Sequence, residues 1–334
     1  MLITQNLARR GILLATAAMV TVGVGLFSNG VPAQELKPVS FRLNYVANAE
    51  HAPYYLAVKK GFYKEVGLDV KITPGNGSND TVRLVGAGNE MFGVAVSDAV
   101  ATGRGRGVPV VSLAVLLQQS PNVLMSLEAT NIKAPTDLYG KHVGLNSRST
   151  DYAFWKALVK TANLDVSKIK VDDLGASSDA AMLVSKTIDA TMGLATNEVV
   201  ALRAEGLKLN TLEPGKYGVQ AYGQVLFANQ QVVEKDPDLA KRFRAATLKA
   251  WEYTIGHLDE AIAALKESVP ATDVKNETAK WVEITPRTKP FDGSSIAFGT
   301  QTTEGWQKTI DTFKAADLIE KDFKPDEIIA SIAR

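Results

Sequence analysis

Cysteine is absent from all 334 residues, which excludes disulfide scaffolds, thiolate zinc sites, iron–sulfur clusters and cysteine nucleophiles. Histidine is scarce. His51, His142 and His257 lie far apart and in no metal-ligand spacing, so no metal is expected. Excess charge of either sign is missing too: Lys plus Arg number 37 and Asp plus Glu 36, a net charge of +1. Nothing in that balance draws the chain to nucleic acid or to an anionic membrane surface. There is no Gly-x-Ser-x-Gly elbow, and His257 falls in a predicted surface helix beginning at Asp236 with no acid–base partner at hand, which argues against a hydrolase. Tandem repeats, coiled-coil heptads and low-complexity tracts are also lacking. What remains, 46% apolar and 22% charged, is the composition of a folded chain long enough for two lobes.

Residues 1–33 differ from everything after them. Arg9 and Arg10 precede an uncharged apolar stretch from Gly11 to Phe27, then Ser28-Asn29-Gly30, then Val31-Pro32-Ala33 with small residues at −3 and −1. This pattern predicts a secretory signal cut after Ala33 and a soluble protein exported to the periplasm. The stretch is short and dilute for a membrane span. Arg9-Arg10-Gly11-Ile12-Leu13 loosely matches a twin-arginine signal, so either export route stands open. Without cysteine there is no lipid anchor on a lipobox.

Beyond the leader, strand-like and helical runs alternate. Phe41, Leu43 and Tyr45 mark one strand face, and Leu68, Val70 and Ile72 another. Pro53–Lys60 reads as a helix stopped by Gly61, and Pro74–Gly77 as a turn. Strands are predicted over 92–96, 108–117, 142–145, 169–174 and 188–194. Helices are predicted after Ser149 or Thr150 (Tyr152, Trp155, Leu158), after Asp236-Pro237, and across Trp306, Ile310 and Phe313. Alternation of this kind predicts an α/β fold with mainly parallel sheets in two lobes. Ligands of open α/β sheets bind beyond the carboxyl ends of the strands, so the loops after strands are the candidate site.

Residues 41–77 carry a specific pattern: Phe41-Arg-Leu-Asn-Tyr45, His51-Ala-Pro-Tyr-Tyr55, Gly61-Phe-Tyr63, Gly67-Leu-Asp-Val70 and Pro74-Gly-Asn-Gly77. It continues through Val85–Gly88, Phe92-Gly93, Gly140–Gly144, Asp189-Ala190, Met192–Glu198 and Tyr217–Tyr222. In these segments, spanning essentially the whole mature chain, the sequence resembles the periplasmic substrate-binding proteins related to thiamine-pyrimidine precursor binders, a family that includes sulfonate, nitrate and flavin binders. The resemblance implies a two-lobed type II periplasmic-binding-protein fold with the ligand cleft between lobes. It also implies that the second lobe, 123–224, is inserted into a first lobe of 38–122 plus 225–334. The implied partners are a small-molecule ligand and the membrane permease of an ABC importer, and the implied state is a monomer.

The candidate ligand-binding residues follow from both arguments. In the first lobe Gly77, Ser78 and Asn79 occupy a strand-to-helix turn. Asn146, Arg148, Ser149 and Thr150 occupy its counterpart in the second, where helix N-termini and small side chains can meet a ligand. Tyr45, Tyr54 and Trp155 offer ring faces, although Trp155 lies on an apolar helix stripe that suits core packing. His51 is equally suited to a structural post. By resemblance Tyr45 stands where the family has a Trp, and Asn197-Glu198 lies where the pyrimidine binders place an acid against the aminopyrimidine edge. A carboxylate there accepts from a ring amine. Arg148 could pair with Glu198 or bind an anionic ligand, and the sequence does not choose. Asp98 completes the set, in the segment after Phe92-Gly93.

One branch of the family synthesises the thiamine pyrimidine from its own lysine-bound pyridoxal phosphate and an active-site histidine with iron. Where that branch carries its Lys and His, this chain has Ala95 and Ala99, and its cysteine-rich segment is missing. A binding protein without cofactor is therefore expected rather than an enzyme. The first-choice ligand is a thiamine-pyrimidine precursor or similar nitrogen heterocycle, with a small oxyanion (sulfonate, nitrate) or a flavin as alternatives.

Overall fold

The computed structural model describes residues 35–147, 149, 151–175 and 179–333. The predicted leader, Arg148 and Thr150 lie outside them.

Ten strands build two five-stranded sheets. Strands β1 (Lys37–Arg42), β2 (Leu68–Thr73), β3 (Phe92–Val96), β4 (Val110–Val115) and β10 (Gln224–Asn229) form the first, in the order β2-β1-β3-β10-β4. Strands β5 (Asn122–Leu127), β6 (His142–Leu145), β7 (Lys170–Asp173), β8 (Ala190–Leu194) and β9 (Leu209–Leu212) form the second, in the order β7-β6-β8-β5-β9. In each sheet four strands run one way and a single strand, β10 or β5, runs against its two neighbours. The strand directions are thus mainly parallel, as expected, yet two of the four pairings in each sheet are antiparallel. The cause is the crossover. β4 ends at the edge where the lobes meet, and the chain enters the second sheet at that same edge. β5 must then run away from it, and β10 does the same on the return.

Strands β4 and β10 are apolar because both faces are covered, and they are buried at every position. The helix Pro237–Gly256 starts as predicted: the Asp236 carboxylate accepts from Leu239 N at 2.9 Å and Pro237 takes the first turn. It sends Phe243 against Phe92, ring centres 4.1 Å apart, and buries Trp251 completely. His257 follows this helix as its C-cap, not within it. Trp306, Ile310 and Phe313 form the predicted buried stripe of the helix Thr303–Ala315. Phe313 meets Phe154 of the second lobe edge-on at 5.3 Å, so one apolar cluster runs from lobe to lobe. Among the described residues no helix is long and apolar enough to cross a membrane. Nor do three or more His, Cys, Asp or Glu gather to hold a metal.

Candidate functional site

The carboxyl ends of β1, β3, β6 and β8 lead into the turns that the sequence singled out. After β1, Asn44 and Tyr45 bind the glycine turn that follows β2: Gly75 N donates to Tyr45 O (3.0 Å) and Gly77 N to Asn44 O (2.7 Å). A Cβ at Gly75 would lie 2.0 Å from Leu43 O, so that close approach admits only glycine. Gly77, at φ +109°, opens the helix Ser78–Gly86. The Ser78 hydroxyl accepts from Val96 N, tying this helix to the end of β3, while Asn79 is exposed. Tyr45 stands 51% exposed on its loop, with its ring free of the core.

His51 occupies a structural post in this structure. It is fully buried, its Nδ1 accepts from Asn48 N (3.1 Å), and its Nε2 meets Asn44 Oδ1 at 2.7 Å. An acceptor at Nδ1 leaves the proton on Nε2. Burial, helped by the charge of Lys280, drives its pKa down to about 3. Tyr54 is likewise core, edge-on to Phe41 at 4.9 Å, and only its hydroxyl reaches out, donating to Gln224 Oε1 (3.2 Å). Trp155 is 4% exposed in the cluster that joins the lobes, the packing role its helix stripe suggested.

Opposite these lie the second-lobe turns. Ser149 donates to Asp151 Oδ2 (2.9 Å) at the start of the helix Asp151–Thr161, and Ser149 N donates to Asn146 O (3.0 Å). After β8 the chain forms a π-helical turn, Ala195–Val199. There Glu198 accepts from Leu194 N (2.8 Å) and from Asn197 Nδ2 (2.9 Å), so it caps the strand end while each oxygen keeps a lone pair.

Six polar residues central to this arrangement, Glu50, Thr196, Gln224, Glu277, Lys280 and Asn122, escaped the sequence reading. Glu50 is held from both lobes, by Thr196 Oγ1 on its Oε1 (2.7 Å) and by Gln224 Nε2 on its Oε2 (2.9 Å). Burial raises the Glu50 pKa, and nearby Glu198 adds to the rise, while the Thr196 hydrogen bond, Lys280 and Arg287 oppose it. Behind it, Glu277 accepts from Ala49 N (2.6 Å) and Lys280 Nζ (2.7 Å). Asn122, the last of these, opens β5 beside Leu194 and is 2% exposed. Glu50 and Gln224 had a faint signal, a lone acid beside His51 and a lone amide opening the run Val225–Ala228. Either reads equally well as a cap. Asp98 is 3% exposed at the start of the helix Ser97–Gly105. Burial, with the facing charge of Asp151, lifts its carboxyl to about 8.

Among the described residues, acidic groups outnumber cations here: Asp151 raises Asp98 and Glu198 raises Glu50, while the cations Lys280 and Arg287 act on Glu50. A separate groove of about 340 Å³, lined by Gln118, Gln220, Tyr222, Phe291 and Lys308 among others, contains none of the candidate residues.

Comparison with known proteins gives a consistent picture. A formylaminopyrimidine-binding protein of Halalkalibacterium halodurans is 28% identical over 306 residues, 90% of this chain and 91% of that one. The riboflavin-binding protein RibY of Chloroflexus aurantiacus is 24% identical over 85% of this chain and 82% of its own. A 4-amino-5-hydroxymethyl-2-methylpyrimidine phosphate synthase of Legionella pneumophila is 25% identical over 85% and 88%. Among solved structures, the periplasmic aliphatic sulphonate binding protein SsuA of Escherichia coli superposes with a TM-score of 0.72 at 15% identity, covering 89% of this chain and 98% of that one. The fold is that of the periplasmic binding proteins. The NMT1/THI5 like family model matches residues 48–261, most of the described body including Glu50, Asp98, Asn122 and Glu198, and the chain belongs to that family.

Proposed function

We propose that this chain is an extracytoplasmic solute-binding protein that captures a small nitrogen heterocycle bearing amino groups and delivers it to the permease of an ABC importer. The observation that carries this reading is the sign of the cleft. Glu50, Asp98, Asp151 and Glu198 suit a ligand that donates N–H groups, whereas a sulfonate or nitrate needs cations and donors in their place. The name of the formylaminopyrimidine-binding relative supports the same class. Ala95 and Ala99, buried at 0% and 1% exposure, support binding rather than synthesis, since neither supplies a Schiff-base amine or an imidazole. The reading includes removal of the leader after Ala33, periplasmic residence as a monomer, and a ligand held between two lobes. The first lobe is 38–121 plus 224–334 and the second 122–223, each inner bound one residue from the expected one because Asn122 opens β5 and Gln224 opens β10. Tyr45 covers the ring face, and Glu198 offers its remaining lone pairs to a donor on the ligand's polar edge.

Mass spectrometry of the small molecules that co-purify with the mature chain tests the class directly. Titration with 4-amino-5-hydroxymethyl-2-methylpyrimidine and with methanesulfonate then discriminates. Binding of the sulfonate alone would replace the heterocycle by an oxyanion and move attention to Arg148.

A further inference from the structure

Two buried side-chain oxygens beside the crossovers have no hydrogen-bond partner: Oδ1 of Asp98 and Oδ1 of Asn122. Orphaned acceptors in residues 3% and 2% exposed are costly, and such atoms in a native structure ask for a reason. They come from different lobes. Asp98 lies two residues beyond the end of β3, and Asn122 is the first residue of β5, paired with the last residue of β8. The crossovers draw them to one place. Ser97, next to Asp98, donates from its N to Gly223 O (2.8 Å) and from its Oγ to Tyr222 O (2.6 Å). Gly223 N donates to Leu117 O (2.8 Å), and Asn122 Nδ2 donates to Ser120 Oγ (3.0 Å). A Cβ on Gly223 would fall 2.5 Å from Gln119 O, which shows how tightly the two crossovers touch. Gln224, the next residue, holds Glu50. These contacts set Glu50, Gln224, Asp98 and Asn122 along the two crossovers, where the proposed cleft has its floor.

We infer that Asp98 and Asn122 are the specificity pair of this site and together read an N–C–NH2 edge of the ligand, the amidine-like edge of an aminopyrimidine. The inference rests on the reading above that the cleft binds a small nitrogen compound, and it names the part of that compound the floor selects. The donor inventory is complementary. Asn122 directs its amide nitrogen to Ser120, with one N–H donating to Ser120 Oγ, and leaves Oδ1 as the unpaired acceptor. The Asp98 carboxyl lies beneath the facing Asp151 and is held protonated at neutral pH, so it offers an O–H and a carbonyl side by side. The O–H donates to the ring nitrogen, the carbonyl accepts one amine N–H, and Asn122 Oδ1 accepts the other. A ring carbonyl or an oxyanion in place of the amine sets acceptor against acceptor at Asn122, whereas the Asp98 carboxyl can turn its O–H toward such an oxygen, so Asp98 anchors the edge and Asn122 discriminates.

The test is calorimetric titration of the mature full chain with four probes: 4-amino-5-hydroxymethyl-2-methylpyrimidine, its 4-oxo analogue, benzamide (an acceptor beside an NH2 outside any heterocycle) and methanesulfonate. The parent should prefer the 4-amino compound to the 4-oxo compound by about ten-fold or more. Asp98→Asn, whose amide presents an N–H and a C=O in the same place, should keep that preference. Asp98→Ala should weaken both pyrimidines by about ten-fold, and Asn122→Ala should weaken the 4-amino compound by about ten-fold and abolish the preference. Asn122→Ala carries the test of the pair from the other lobe should Asp98→Ala not fold. If the parent binds the 4-amino compound and Asn122→Ala retains its preference, or Asp98→Ala binds both pyrimidines as the parent does, the specificity pair is wrong while the heterocycle reading stands. If the parent ignores both pyrimidines yet binds benzamide in a manner lost in Asn122→Ala, the heterocycle reading fails and the pair stands. Binding of methanesulfonate alone overturns both.

Discussion

Asp98 gives the molecule a pH signature that single-residue thermodynamics can resolve. Its carboxyl rises from the ordinary 3.8 to about 8, first through burial and then through Asp151. Between those values the folded chain holds a proton that the unfolded chain has released, so Asp98 opposes folding increasingly as pH climbs from about 4 to 8. Asp98→Asn has no such proton. Its stability relative to the parent should therefore grow from pH 5 to pH 8 and be smallest near pH 4; urea melts at the two pH values measure the increment, and a constant difference would count against a buried neutral acid. His51 acts with the opposite sign. Its pKa falls from 6.5 to about 3, so its contribution is whole above about 6.5 and is lost as pH drops toward 3. His51→Gln should lower stability at neutral pH and flatten that acid limb, while leaving the choice between pyrimidine and sulfonate probes unchanged. Both residues were noticed in the sequence, but their environments were not legible there. Nothing local to His51 announces that Asn44 and Asn48 will satisfy its two nitrogens.

At the scale of elements, the helix starts and amphipathic stripes were the readable part. Asp236-Pro237 and the Trp306, Ile310, Phe313 stripe have local causes, a cap and a 3.6-residue period. β5 and β10 were not read. Asn122–Leu127 and Gln224–Asn229 are short runs covered on both faces, so no alternation marks them. Their reversed direction follows from crossovers that only the assembled fold defines. The π-helical turn after β8 was equally hidden, and it sets what Glu198 can do. Its carboxylate accepts from Leu194 N and Asn197 Nδ2, and Gln has one acceptor oxygen where Glu has two. Glu198→Gln should thus cost about 1 kcal/mol of stability through one lost bond. If the remaining lone pairs also accept from a donor on the ligand's polar edge, the 4-amino pyrimidine should weaken by roughly ten-fold more. Melting and titration separate the two effects, and a thermal loss without a binding loss would confine Glu198 to capping β8.

At the scale of the whole molecule, the lobes are bonded across the cleft. Thr196 donates to Glu50, Arg203 faces Glu283 at 3.4 Å, and Phe154 packs on Phe313. Two lobes joined by two crossovers suit a hinge motion in which the bonded arrangement is the closed one. The Thr196–Glu50 bond belongs to that state alone, because in an opened cleft water would solvate both partners. Thr196→Val keeps the shape of a side chain that is 2% exposed and removes only its donor. In the closed state Glu50 would then keep Gln224 and lose Thr196, a deficit on the order of 1–3 kcal/mol that the open state does not share. Apparent affinity scales with the fraction of chain in the competent state, so ligand should bind about five- to one-hundred-fold more weakly. The urea midpoint of each lobe should barely move, since neither lobe's own packing is altered. Small-angle scattering should show the ligand-free variant with a larger radius of gyration than the parent, and saturating ligand should bring the two curves together. Unchanged affinity with an unchanged scattering curve would mean that Thr196–Glu50 does not control closure, and the closing contact would have to be sought at Arg203 and Glu283.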